Sequence, residues 1–121
     1  MINMKRLTTI SNITLTIFLL FAISFNVAAD ENIVTHRFVT TGNCYLCLLT
    51  IEEAGNSVDG VSDCSWDSGK LETSVTYDMS ITNIYEIMHA IADSGYDTEW
   101  FHSDAAAYQE LVGTCCEYIH V

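Results

Sequence analysis

Apolar and polar residues change period several times between residues 33 and 101, and each change marks an element. Ile33 to Thr40 is rich in Val, Thr and Phe and reads as a strand. Thr41-Gly42-Asn43 then breaks it as a turn. From there the apolar positions fall at Cys44, Cys47, Leu48, Ile51, Ala54 and Val58, spaced by three and four. That is one face of an amphipathic helix, and Asp59-Gly60 stops it. Val61 to Trp66 predicts a second strand, Asp67-Ser68-Gly69-Lys70 a hairpin turn, and Leu71 to Tyr77 a third strand. In the third strand Leu71, Thr73, Val75 and Tyr77 alternate with Glu72, Ser74 and Thr76, which predicts one buried face. Ser80 is the expected cap of a second helix with the stripe Ile84, Ile87, Met88 and Ile91, ended by Gly95. Tyr96 to Phe101 supplies a short fourth strand. The order β-α-β-β-α-β predicts an α+β, ferredoxin-like sandwich, two helices on a four-stranded antiparallel sheet. A C-terminal tail over residues 102–121 holds a short helical stretch near Ala105 to Val112, then Cys115-Cys116.

The segment before this domain has a different character. Met1 to Leu7 carries Lys5 and Arg6 and no acid, Ile13 to Phe25 is almost wholly apolar, and Val27-Ala28-Ala29 precedes the acidic pair Asp30-Glu31. This is the three-part layout of a secretory signal peptide over residues 1–29, cut after Ala29. The apolar run falls short of the roughly 20 residues that a spanning helix needs. The expectation is an exported protein of a bacterial periplasm, with no stable membrane association after cleavage. Its domain runs over residues 30–101, followed by the tail.

Charge narrows the function. The chain carries 16 acids against 4 Lys and Arg. Lys5 and Arg6 lie in the leader, so residues 30–121 keep only Arg37 and Lys70 against all 16 acids, a formal charge of −14. Such a surface repels phosphate backbones and anionic lipid, which excludes nucleic acid as a partner. Proline is absent, so no cis-proline mechanism is available.

Five cysteines are many for so short a chain. Cys44 and Cys47 stand three apart where a turn becomes a helix, and there the free backbone N–H groups and the helix dipole stabilise thiolates. Two such sulfurs suit a soft ion that accepts low coordination, Cu(I) or Hg(II), whereas Zn(II) wants four ligands. A thiol–disulfide redox protein also places Cys-x-x-Cys at a helix start. Against it stand the missing proline and an acidic surrounding that should raise a thiol pKa. A structural disulfide is the third reading, since export commonly means oxidation.

These residues resemble the heavy-metal-associated domain family. The likeness runs from about Ile33 to Phe101: Thr-Gly-Asn-Cys-Tyr-Leu-Cys (41–47), Ile51-Glu52, Gly60-Val61, Val75-Thr76-Tyr77-Asp78, Ala90-Ile91 and Gly95-Tyr96-Asp97-Thr98-Glu99. The resemblance implies metal ligation by Cys44 and Cys47, with Gly42 and Asn43 beside them and Tyr96 on the loop facing them. It also implies a soluble metallochaperone, a mercury scavenger or a pump domain. The partner would then be a metal-transporting membrane pump or another thiol-bearing metal protein. The family's commonest pattern has a methionine two residues before the first cysteine, and here Gly42 stands there. The Gly-Asn-Cys-x-x-Cys form, with a tail ending in paired cysteines, resembles an exported bacterial branch of the family.

The other candidates carry less. Cys64 lies two residues before Trp66 on the second strand, on the same face, and reads as a buried inert thiol. Cys115 and Cys116 are possible auxiliary ligands, or a disulfide that staples the tail. Five cysteines under full oxidation fit two bridges and a lone Cys64. His36, His89, His102 and His120 show no ligand spacing, although His102 and His120 could assist a metal in the tail. Glu52-Glu53 reads as part of a solvated face. The expectation is therefore a non-enzymatic carrier of Cu(I), Hg(II) or Zn(II), with Cu(I) favoured. It would be a monomer or a metal-bridged dimer, and its acidic surface suits a partner with a basic docking patch.

Overall fold

A computed structural model describes residues 31–120. The signal peptide expected over residues 1–29 lies outside the described residues. The element order is β1 (Ile33–Val39), α1 (Tyr45–Asn56), β2 (Val61–Asp67), β3 (Glu72–Asp78), α2 (Ile84–Asp93) and α3 (Ala105–Leu111). The sheet is antiparallel in the order β1-β3-β2, with Phe38 opposite Thr73 on one side and Cys64 opposite Val75 on the other. An irregularity between Val61 and Asp63 resets the register of β2, after which Cys64 and Trp66 both face inward.

One face of the sheet is dry. Phe38, Cys64, Trp66, Thr73, Val75 and Tyr77 point from it into a core completed by Ile51 of α1 and Ile87, Met88 and Ile91 of α2. The opposite face is polar: Thr35 and Thr76 hydrogen-bond across it at 2.8 Å in solvent. α1 packs against β2 and α2, and its Glu52 carboxylate accepts the outward Trp66 N–H at 3.0 Å. Glu52 is therefore not simply part of a solvated face; it closes the edge of β2. No helix among the described residues is long and apolar enough to cross a membrane.

Three local expectations are corrected. Leu71 is not part of the buried face of β3. It sits at the end of the hairpin turn with φ of 53° and is 38% exposed, after an Asp67 carboxylate that gathers the N–H groups of Gly69 and Lys70. Ser80 does not cap α2; its N–H and hydroxyl go to Asp78. The cap is Asn83, which accepts the Glu86 N–H at 3.0 Å.

The third correction concerns the sheet. Among the described residues it has three strands, and the expected fourth survives only as a bridge between Thr40 and Thr98. Two backbone N–H groups at the start of this segment are engaged elsewhere. The Asp97 N–H donates to the Tyr118 hydroxyl at 2.9 Å, and the Thr98 N–H turns back to the Phe101 carbonyl at 2.9 Å. Gly95, with φ of 111°, ends α2 in the left-handed region and starts this loop.

The tail is docked, not free. Tyr118 is 6% exposed; its hydroxyl accepts from Asp97 N–H and donates to the Gly95 carbonyl at 2.8 Å. Its ring stacks on Tyr96 with centroids 5.8 Å apart, and Tyr108 of α3 donates to its carbonyl at 2.7 Å. Tyr118→Phe should leave one buried donor and one buried acceptor unmet and cost about 1–3 kcal/mol. Urea denaturation monitored by tryptophan fluorescence measures it; an unchanged midpoint would mean that this hydroxyl does not hold the tail.

Candidate functional site

α1 begins at Cys44, whose extended backbone and carbonyl open the helix by accepting the Leu48 N–H at 3.2 Å. Cys47, one turn in, is fully buried, and its sulfur accepts the N–H groups of Asn43 and Cys44, both at 3.4 Å. The helix start thus presents its free donors to a sulfur, as the dipole argument expects. Gly42 comes so near Trp66 that a Cβ there would lie 2.8 Å from the ring, and 3.3 Å from the Cβ of Cys47. The space beneath the loop that a larger residue would need is filled by Trp66, whose indole donates to the Thr40 carbonyl at 3.0 Å.

The tail brings two more cysteines to this point. Asn43 donates its side-chain amide to the Glu117 carbonyl, fastening the loop to the tail just past Cys116. Cys44 is disulfide-bonded to Cys115, with Cα atoms 6.1 Å apart. The Cys44 sulfur also lies 3.5 Å from that of Cys47 and 3.4 Å from that of Cys116. The sulfurs of Cys44, Cys115 and Cys116 fall within 4.8 Å of one another. Cys115 is exposed, Cys44 half-buried and Cys116 buried, so the cluster has an open side at Cys115. Beside it sits the wholly buried Tyr96, whose hydroxyl has no hydrogen-bond partner and lies near the sulfurs of Cys116 and Cys47.

The electrostatics differ from the expectation. Burial pushes the Cys47 thiol up, but the Cys116 thiol, the N–H groups of Asn43 and Cys44 and the Tyr96 hydroxyl together outweigh it and leave Cys47 below an ordinary cysteine. Cys116 is raised, first by burial and then by Cys47, so the pair favours one thiolate carried on Cys47. The acidic surface does not decide this, because fixed donors at contact distance act more strongly than screened charges farther off. Tyr96 is raised by its burial and by the two sulfurs, and stays a neutral donor.

Cys64 is separate from the cluster. It is 3% exposed beneath α1, and burial, then the charges of Glu52 and Asp63, push its thiol up to about 12. The histidines do not meet the sulfurs. His120 places Nδ1 2.7 Å from Asp97 Oδ2, and His102 lies 3.9 Å from Asp97 Oδ1. His89 pairs with Asp93 at 3.1 Å, and His36 with the Tyr77 hydroxyl at 2.7 Å. Asp97 and Tyr118, which fix the tail, had no role in the sequence reading. Their signal was faint: an acid after Gly95-Tyr96 and a lone aromatic two residues beyond Cys116.

Several solved structures are similar to part of this chain. A CopZ metallochaperone is 30% identical over 54% of this chain and 98% of its own, with a TM-score of 0.52. Oxidized MerP from Ralstonia metallidurans CH34 is 28% identical over 55% of this chain and 94% of its own, at 0.53. A copper binding domain from HMA7, a P-type ATPase, is 26% identical over 54% and 89%, at 0.52. No family model matches the chain, and no curated protein matches it.

Thiol reactivity should separate the cysteines. At pH 8, iodoacetamide should alkylate Cys47 well ahead of Cys64, and Cys64 should react at an ordinary rate only after denaturation, read by peptide mass spectrometry. Asp97 supplies a pH test. Burial opposes its charge, but the Ser103 N–H and His120 outweigh this and hold its carboxyl low. A depressed folded pKa adds stability that is present above the unfolded carboxylate range and lost as pH falls through the folded value. Asp97→Asn should therefore flatten the loss of stability below about pH 4, the ordinary carboxylate range, in urea midpoints measured against pH.

Proposed function

The chain belongs to the heavy-metal-associated domain family, and from that premise we propose that it carries a soft metal ion and exchanges it with a partner protein. The observation that supports this most is the convergence of Cys44, Cys47, Cys115 and Cys116 at the start of α1. In the proposed working state the Cys44–Cys115 bond is reduced and Cys44 and Cys47 are the primary ligands. Cys115 and Cys116 are then auxiliary ligands at the open side. Gly42 lets the loop lie on Trp66, Asn43 supplies a backbone donor to Cys47 and ties the loop to the tail, and Tyr96 lies beside the sulfurs.

Low-coordinate sulfur suits Cu(I) first and Hg(II) second; Zn(II) would need all four cysteines. Transfer would proceed by stepwise substitution, a partner thiolate entering at Cys115's exposed side before a resident sulfur leaves. Tyr45 and Leu46, 70% and 55% exposed beside Cys44, would form an apolar collar for that docking. The acidic surface suits a partner with a basic patch, such as a metal-transporting pump, and an association weakened by salt. We assign no catalytic group, and we place the working protein, residues 30–121, outside the cytoplasm after cleavage of residues 1–29.

A second reading, a thiol–disulfide redox protein, is favoured by one observation: Cys44 is already in a disulfide, with the lowered Cys47 sulfur 3.5 Å away. Titration of the reduced chain with Cu(I) against a competing chelator decides between them. Wild type should take one tight equivalent, and Cys44→Ser/Cys47→Ser should lose it. No tight binding together with multiple turnovers in a disulfide-exchange assay would transfer the cysteines to the redox reading.

A further inference from the structure

With Cys44 committed to Cys115, the free cysteines among the described residues are Cys47, Cys64 and Cys116. Two of them belong together. Cys47, from the first turn of α1, and Cys116, from the tail, each lie within 3.5 Å of the Cys44 sulfur, at 3.5 and 3.4 Å. The two thiols also lie near enough to bias each other's ionisation. Both are nearly enclosed, at 0% and 5% exposure, yet they adjoin the exposed Cys115.

A second observation points to a ligand. The Tyr96 hydroxyl is buried, has no hydrogen-bond partner, and lies near these two sulfurs. A buried hydroxyl normally finds an acceptor, and a thiolate held by a cation is a better acceptor than a neutral thiol. The N–H groups of Asn43 and Cys44 are aimed at the Cys47 sulfur as well. The surroundings are thus arranged for negative charge on sulfur while Cys44 is unavailable to carry it.

We propose that, with the Cys44–Cys115 disulfide closed, Cys47 and Cys116 form a two-sulfur site for a soft, thiophilic cation, with Tyr96 donating to the ligating sulfur. The site rests on the soft-metal reading above but uses a different pair of ligands and a different oxidation state. Its donor set, two sulfurs and no carboxylate or imidazole, selects ions that accept near-linear coordination over Zn(II) and over hard divalent cations. Cys47 is common to both sites. Reduction of Cys44–Cys115 by a dithiol, which passes its two electrons and two protons to the pair and leaves as a disulfide, frees two further thiols. The bound ion then meets up to four sulfurs without leaving Cys47. Redox state thus sets the coordination number of the cargo rather than its presence.

The test uses the full chain isolated with Cys44–Cys115 closed, its pairing established by peptide mapping before and after loading, and Ag(I) as the probe, since Ag(I) supplies no electrons to reduce a disulfide. The oxidised chain should bind one tight equivalent that protects Cys47 and Cys116 together from N-ethylmaleimide. Cys116→Ser should lose that equivalent, and Cys64→Ser should keep it. Tyr96→Phe, which retains both sulfurs, should keep the stoichiometry with weaker binding, so the result does not depend on one variant folding. Absence of a tight equivalent in the oxidised chain, its survival in Cys116→Ser, or a Cys47–Cys116 disulfide in the isolated protein would overturn the proposal. A parallel titration of the reduced chain separates the two readings. Tight binding by the reduced chain alone removes this site and leaves the carrier function, and binding by neither form removes both.

Discussion

The sulfur cluster depends on how the tail is fastened, and the most deeply buried fastening is the Tyr118 hydroxyl. Tyr118 places its phenol between the Asp97 N–H and the Gly95 carbonyl, at the point where α2 gives way to the loop facing the cysteines. Cys115 and Cys116 precede it by three and two residues, too few for the chain to wander. Once Tyr118 is seated, both sulfurs fall over the start of α1. The Cys44–Cys115 bond then joins residues 71 apart in sequence across a gap that packing has already closed. Long loops are where such a link constrains the unfolded chain most. Asp97, gripping the Ser103 N–H and His120, braces the same loop from the other side.

Docking the tail has a cost in the sheet. Residues 96–101 have the composition of an edge strand, but an edge strand needs its N–H and C=O groups for a neighbour. Here the Asp97 N–H goes to Tyr118 and Thr98 closes a turn onto Phe101, and only the Asp97 carbonyl still accepts from the strand side, from the Thr41 N–H. One bridge to Thr40 is left. The loop gains what the sheet loses, because it delivers Tyr96 into the core with its hydroxyl near the sulfurs. The ferredoxin-like plan persists in the helices and three strands, and the departure falls at the site.

Two buried cysteines show how the same side chain acquires opposite chemistry. Cys64 and Cys47 are both shielded from water. Around Cys64 there are only apolar walls and the charges of Glu52 and Asp63, so ionisation is suppressed. Around Cys47 there are two backbone N–H groups, a thiol and a phenol, so a thiolate is favoured despite its burial. Distance from the helix start, not depth, separates an inert core residue from a reactive one.

The sequence by itself determined the order of elements from β1 to α2, the inward placement of Cys64 and Trp66, the opening of α1 at Cys44 and the short helix in the tail. These follow from local periodicity and turn chemistry, which act over a few residues and are written directly in the side chains. It also singled out Cys44 and Cys47, because their spacing and the preceding turn are local features. Only the tertiary structure decided that Cys115 bonds to Cys44, that Cys116 lies beside Cys47, and that Asp97 and Tyr118 hold the tail. It alone replaced the fourth strand by a loop and assigned His102 and His120 to Asp97. Those outcomes depend on which of several possible partners each backbone group and sulfur meets across separations such as 21 and 71 residues of chain. That competition is settled by packing, and no local pattern records its result.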